Sequence, residues 1–267
     1  MDLRRLAWGF ENKLSNKDIN SMEGEIARVG RYCARFALSK DDILAAQELR
    51  YRCFNLSNDK GLDVDAFDPI CRHVLVENLE NGKLICCYRI MSFIDGKDIT
   101  RSYSSEFYDL ASIKNFPKPM IEVGRFCIDP FTTDHEVVLA AWAALTQLVD
   151  ENGIKFLFGC SSFEGIEKEK YLHCFAFLRE KHIAPEHWLP RVKAAQVISY
   201  SEANCYKVNK KKALLNMPPL LKSYLSMGAW VSDHAVIDYN MKTLHLFTGV
   251  EVSKIPTRRK QFLRNLA

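Results

Sequence analysis

The chain has 267 residues, 48% hydrophobic and 26% charged, with a formal net charge of +4 and a pI near 8.5. That length supports a sizeable core, and the mild positive charge permits an acidic partner or anionic surface without demanding one. No apolar run approaches the roughly 20 residues that span a bilayer. The nine cysteines lack zinc-like C-x-x-C spacing and read as reduced thiols of a cytoplasmic protein.

Residues 1–27 are polar and read as a peripheral segment. Its start, "MDLRRLAWGF", is basic and amphipathic without a secretory apolar core; an anchor at the inner membrane surface is the alternative reading. "RYCARFAL" alternates as a strand does, with Tyr32, Ala34, Phe36 and Leu38 on one side. Ser39 then caps a helix through "DDILAAQELRYRCF", which gives way to the polar loop "NLSNDKGLDVDAFDP". "HVLVEN" and "KLICCYRIMSF" flank Asn81-Gly82, a strong hairpin signal. A polar insertion with a short helical piece from Ser104 to Ile113 follows.

"MIEVGRFCIDP" suits a buried strand except for Glu122, Gly124 and Arg125. Thr133 and Glu136 form a capping-box pattern for a helix over 134–151, ended by Gly153, and "IKFLFGCSSF" is another strand. Strand, helix, strand predicts a parallel pair joined by a right-handed crossover. "KEKYLHCFAFLREK" is helical. "PPLLKSYLSMGAW" reads as a Pro-started helix ending at Gly228, with closing strands near 229–238 and 242–249. The order predicts an α/β fold, a mixed sheet flanked by helices in one domain over 28–255, followed by a basic tail at 256–267.

Several charges fall where apolar residues are expected. Arg89 interrupts "CCYRIM", Arg50 lies near the end of the first helix, and Asp63, Asp65 and Asp68 crowd the loop after it. Two readings stay open. One is a salt-bridge network that ties loop to sheet, since buried ions are tolerated when paired. The other is a polar site for a small zwitterion, with carboxylates holding an ammonium and a guanidinium clamping a carboxylate. In a regular strand Glu122 and Arg125 point to opposite faces. A bulge at Gly124 would put both on one face and bend the strand from its neighbour.

Other signals are weaker. Cys127 and Cys160 are the candidates if any thiol is nucleophilic. No glycine-rich phosphate loop is present, although the free N–H groups of helix 134–151 could hold a phosphate. The histidines show no metal-ligand spacing. The basic runs "KVNKKK" (207–212) and "RRKQFLR" (258–264) read as solvated faces or a docking surface for an acidic partner. No recognised motif accompanies them, which argues against nucleic-acid binding.

Five blocks in order, "ALSKDDILAAQELRYRCF", "DVDAFDPICRHVLV", "EVGRFCIDP", "LFGCSSFEG" and "PPLLKSYLSMGAWVSDHAVID", resemble the bacterial ornithine–acyl-carrier-protein N-acyltransferases, which have a GNAT-like fold. The resemblance spans roughly residues 30 to 255. A more distant likeness to acyl-homoserine-lactone synthases rests on Arg50 with Phe54, Asp65 with Asp68, Arg89, and Glu122 with Arg125 and Phe126. Phe126, Arg72 and the glycine-free "FTTDHE" depart from the ornithine family's pattern.

The resemblance implies transfer of a 3-hydroxyacyl group from acyl carrier protein to the α-amine of L-ornithine, giving lyso-ornithine lipid. It implies no bound cofactor and no metal, because the donor is carried on the carrier protein's phosphopantetheine. Glu122 and Arg125 are the expected catalytic residues. Asp65, Asp68, Arg89 and Arg50 are expected at the amino acid. Gly124, Phe126, Cys127, Ser161 and Ser162 are expected along the acyl donor. The alternatives are a related N-acyltransferase with another amino acid, acetyl-CoA or a lactone product, or a non-catalytic module that binds carrier protein or membrane.

Overall fold

The computed structural model describes residues 24–55, 60–201 and 208–266. The start of the peripheral segment, with its membrane-anchor alternative, and Lys207 of the basic run lie outside the described residues. The chain divides into two compact units. The first holds the residues up to Ile94 with Arg125–Asn152, and the second holds Asp95–Gly124 with Gly153–Asn265.

In the first unit, β1 (Glu25–Val29), β2 (Tyr32–Phe36), β3 (Arg72–Asn78) and β4 (Lys83–Phe93) pair antiparallel in chain order. Strand β1 was not expected, because "EIARV" is short and begins on a charge. It exists because Gly30, at φ +55°, reverses the chain onto β2. Between β2 and β3 lies α1 (Lys40–Asn55). Its start is a reciprocal cap: Asp42 N donates to Ser39 Oγ at 3.1 Å, and Ser39 N donates to Asp42 Oδ2 at 3.2 Å. Arg35 holds the Asp42 carboxyl down at about 2, with two charge-assisted bonds of 3.0 and 2.8 Å. The expected hairpin turn is present, with Gly82 at φ +68° and its N–H on the Asn78 carbonyl.

The second unit opens on the insertion. The predicted helix from Ser104 to Ile113 is only one turn, α2 (Ser104–Phe107). Tyr108 turns extended and begins the two-residue strand β5 (Tyr108–Asp109), because its buried side chain reaches His245: the hydroxyl donates to the His245 carbonyl at 2.9 Å.

Strand β6 (Met120–Ile128) runs through both units, and α3 (Glu136–Glu151) belongs to the first. The N-cap of α3 is His135, two residues later than the expected Thr133, and no side chain caps it; just ahead, Asp134 Oδ1 accepts from Glu136 N at 3.0 Å. An aspartate therefore meets this helix N-terminus, which disfavours the phosphate reading.

Strand β7 (Phe156–Glu164) pairs parallel with β6 at Met120, Ile121 and Glu122, as the strand–helix–strand pattern predicted. There follow α4 (Leu172–Lys181), β8 (Arg191–Val192), which pairs with β5, and β9 (Val197–Ser199). The chain closes through α5 (Lys210–Asn216), α6 (Pro219–Ser226), β10 (Trp230–Val231), β11 (His234–Asp238) and β12 (Thr243–Glu251). The basic tail forms a helix, α7 (Thr257–Arg264).

Within the second unit the strand order is β6-β7-β12-β11-β9, and β7 runs antiparallel to β12 from Phe156 to Glu164. A ladder of rings (Phe156, Phe158, Trp230 and Phe247, stacked at 5.5–5.9 Å) fills one face. Among the described residues, no helix is long and apolar enough to cross a membrane.

Registered pairing of β6 with β7 ends at Glu122 and Phe158. One residue on, Gly159 brings its backbone against the Val123 carbonyl, where a Cβ would overlap the oxygen. Gly159→Ala should therefore destabilise the fold by about 1–3 kcal/mol, read as a lower urea midpoint at unchanged m. A wild-type midpoint would show that the strands separate freely at this position.

Candidate active site

In the first unit, three arginines meet three aspartates. The last turns of α1 present Arg50, which is 1% exposed. It grips Asp68 with two bonds of 2.8 Å, reaches Asp63 Oδ2 through Nε at 2.8 Å, and donates to the Asp63 carbonyl. From β4, Arg89 donates to both Asp65 oxygens at 2.5 and 2.6 Å and to Asp68 Oδ1 at 2.7 Å. From β6, Arg125 donates to Asp63 Oδ2 at 3.1 Å and to Asp65 Oδ2 at 2.9 Å. Gln47 Nε2 donates to Asp68 Oδ2 at 2.9 Å, and His73 Nε2 lies 3.1 Å from the Asp68 carbonyl.

Burial alone would raise the Asp68 carboxyl, but the bonds and charge of Arg50, aided by Gln47 and Arg89, hold it well below the usual range. Asp65 behaves alike: burial is outweighed by Arg89 first and Arg125 next. His73 is pushed down, chiefly by burial. Of the two readings left open by the sequence, the salt-bridge network is present. It binds the 63–68 loop to α1, β4 and β6.

The distortion in β6 sits one residue after the predicted place. Gly124 keeps negative φ, whereas Arg125 stands at φ +52°, in the left-handed region. Met120 to Val123 are all buried, so the strand is covered on both faces up to this point. Phe126 stacks on Tyr88 at 5.3 Å, and Cys127 Sγ lies 3.6 Å from Cys87 Sγ in the core. Burial pushes the Cys127 thiol well up, which argues against its use as a nucleophile.

In the second unit, Glu122 is 4% exposed. Its carboxylate accepts from Tyr103 N at 2.9 Å, Ser104 N at 2.7 Å and Ser104 Oγ at 2.6 Å. Ser104 Oγ in turn accepts from Cys160 Sγ at 3.5 Å. Ser161 is buried and accepts from Thr248 Oγ1 at 2.8 Å, while Ser162 is exposed.

The structure thus brings Arg50, Arg89, Arg125, Asp65 and Asp68 into one cluster with Asp63. Glu122 has its own partners, Tyr103 and Ser104. Sequence reasoning missed Ser104, Gln47 and His73. Gln47 carried a faint signal, standing one turn of α1 before Arg50. Ser104 carried none, since it sits in a polar insertion without periodicity.

The GNAT acetyltransferase domain model matches residues 49–143, which include Arg50, the three aspartates, Arg89, Glu122 and Arg125. The L-ornithine N(alpha)-acyltransferase of Brucella abortus is 31% identical over 87% of this chain and 89% of its own length. The chain belongs to the L-ornithine N(alpha)-acyltransferase family. The Rhodobacter capsulatus member is 27% identical over 86% of this chain and 94% of its own. Among solved structures, an N-acyl amino acid synthase from uncultured soil microbes aligns over 84% of this chain and 94% of its own, at 12% identity. The TM-score of that alignment is 0.49. The GNAT acetyltransferase match accords with the mixed α/β architecture.

The depressed Asp65 and Asp68 give this family member a definite acid response. A carboxyl lowered in the folded state contributes stability above its unfolded value of about 3.9, and loses it as pH falls through the folded value. Urea unfolding between pH 6 and 2 should therefore show stability falling steeply below pH 4. Asp68→Asn should cost about 3–5 kcal/mol at neutral pH, by leaving buried guanidinium charge uncompensated. Its stability should vary less with pH below 4. An unchanged acid slope in that variant would refute the assignment.

Proposed function

We propose that the protein is an N-acyltransferase that moves a 3-hydroxyacyl group from acyl carrier protein to the α-amine of L-ornithine, giving lyso-ornithine lipid. The observation that carries this reading is likeness along nearly the whole chain to an L-ornithine N(alpha)-acyltransferase, 31% identical over 87% of its residues. The donor arrives on phosphopantetheine, and no metal or resident cofactor takes part. The enzyme works in the cytoplasm, and its amphiphilic product passes to the inner membrane surface, which the protein contacts peripherally.

The chemistry sets what the residues must do. An α-ammonium must lose a proton before its nitrogen attacks a thioester carbonyl, and the carbonyl oxygen gathers negative charge as it does so. Glu122 is the residue that orients the amine or receives its proton. Backbone N–H groups near Gly124 stabilise the oxyanion, and Phe126, Cys127, Ser161 and Ser162 line the donor's course.

Arg125 grips the substrate carboxylate. Asp65, with 21% of its side chain exposed against 13% for Asp63 and 5% for Asp68, is the carboxylate most open to ornithine's side-chain ammonium. Arg50, Arg89 and Asp68 hold Asp65 and the loop in place.

Purified protein mixed with 3-hydroxyacyl carrier protein and a panel of amino acids should yield hydroxyacyl-ornithine by mass spectrometry. No ornithine adduct at any enzyme level would sink the reading. Glu122→Gln should lose about 100-fold or more in kcat while keeping its fold. Full activity in that variant would remove Glu122 from the mechanism without touching the family assignment.

A further inference from the structure

The three donors around Glu122 are not equivalent. The peptide N–H groups of Tyr103 and Ser104, at 2.9 and 2.7 Å, can only donate. The Ser104 hydroxyl, at 2.6 Å, both donates and accepts, so it can pass one proton on as it takes up another. Its second bond is already directed: Oγ accepts from Cys160 Sγ at 3.5 Å.

Only the Cys160 end of this line is partly accessible. Cys160 is half-buried, Ser104 is 0% exposed and Glu122 is 4% exposed. Cys160 lies on β7 two residues beyond Phe158, the last residue of that strand paired with β6. A partly accessible thiol, a hydroxyl and a buried carboxylate therefore stand in series.

We propose that Ser104 is the proton relay of this enzyme, carrying the proton lost by the acceptor amine to Glu122. The amine reaches Ser104 Oγ from the side that Cys160 Sγ occupies. The inference rests on Glu122 as the proton acceptor, as proposed above.

The step balances as follows. The ammonium gives a proton to Ser104 Oγ while the serine's own proton moves to Glu122 Oε1, leaving a neutral amine, an unchanged serine and a neutral carboxylic acid. The amine nitrogen then forms the amide C–N bond as the thioester C–S bond breaks. A second proton leaves the nitrogen for the departing thiolate, so the carrier is released as a thiol. Glu122 returns its proton through Ser104, and the net release is one proton per turnover. The reaction needs no oxidant or reductant. Cys160 forms no bond to the acyl group.

The test measures kcat and KM for ornithine, with thermal midpoints, in Ser104→Ala, Ser104→Thr, Cys160→Ala and Glu122→Gln. Ser104→Ala should lose about 100-fold in kcat with little change in KM, and Ser104→Thr, which restores a hydroxyl, should recover most of it. Cys160→Ala should remain active. A proton inventory in mixed light and heavy water should be bowed in the wild type, where two protons move together, and linear in Ser104→Ala.

Full kcat in Ser104→Ala alongside an inactive Glu122→Gln would overturn the relay and leave Glu122 in place. Wild-type kcat in Glu122→Gln would overturn both. An inactive Cys160→Ala, with an acyl adduct on Cys160 in the wild type, would overturn the relay in favour of a covalent intermediate. A slow Ser104→Ala that keeps a bowed inventory would reduce Ser104 to a structural contact and overturn the relay as well.

Discussion

An arginine in the left-handed backbone region costs about 1–2 kcal/mol relative to an ordinary conformation, and Arg125 is held there at φ +52°. What holds it is a set of ion pairs. Its guanidinium reaches Asp63 and Asp65 at 3.1 and 2.9 Å, and those aspartates are themselves fixed by Arg50 and Arg89. The loop between α1 and β3 and the turn inside β6 are therefore one mechanical unit. Removing any of the four charged partners frees the strand to relax toward regular alternation, with its side chains re-aimed.

The same network limits what it can bind. Three guanidinium groups and three carboxylates sum to no net charge, so the cluster does not attract a cation from a distance. A substrate ammonium gains a partner there only by competing with an arginine for it. Asp68 and Asp65 are each gripped in bidentate fashion, by Arg50 and Arg89, so that competition is met at both, and they differ in that Asp65 is the more exposed. Such exchange favours a zwitterion over a simple amine. Its carboxylate can satisfy the guanidinium that its ammonium displaces, so no buried charge is left alone.

The elements legible in the sequence were those whose signals are local. The Ser39 cap, the Asn81-Gly82 turn and the apolar repeat of α3 each act within a few residues, and each is present. Strand β1 was missed because five residues beginning on a charge make too short a pattern. The α2 helix was overextended because Tyr108 is decided by His245, 137 residues away. The site divides along the same line. Glu122, Gly124 and Arg125 announced themselves by breaking alternation, and the loop aspartates by crowding. The pairing of Arg50 with Asp68 spans 18 residues and that of Arg125 with Asp63 spans 62, and no sequence periodicity encodes either. The displacement of the distortion from Gly124 to Arg125 is the instructive error. Glycine permits a left-handed turn, but ion pairs can impose one on its neighbour.

Glu122 takes its setting from the insertion rather than from the sheet alone. The donors on its carboxylate belong to Tyr103 and Ser104, so its reactivity depends on how rigidly those residues are held. Several bonds hold them. The Ser105 hydroxyl donates to the Thr100 and Ser102 carbonyls at 2.7 Å each, Lys193 Nζ donates to the Ser105 carbonyl at 2.5 Å, and Tyr108 is pinned at His245. Gly96, at the far end of the insertion, packs so closely against the Ile113 carbonyl that a Cβ would not fit. A polar stretch without helical or strand periodicity is thus braced by contacts within itself and tied to Lys193 and His245, in the pattern of a loop whose backbone positions reacting groups. A change in its length or composition would shift the Tyr103 and Ser104 donors together, and with them the setting of the Glu122 carboxylate.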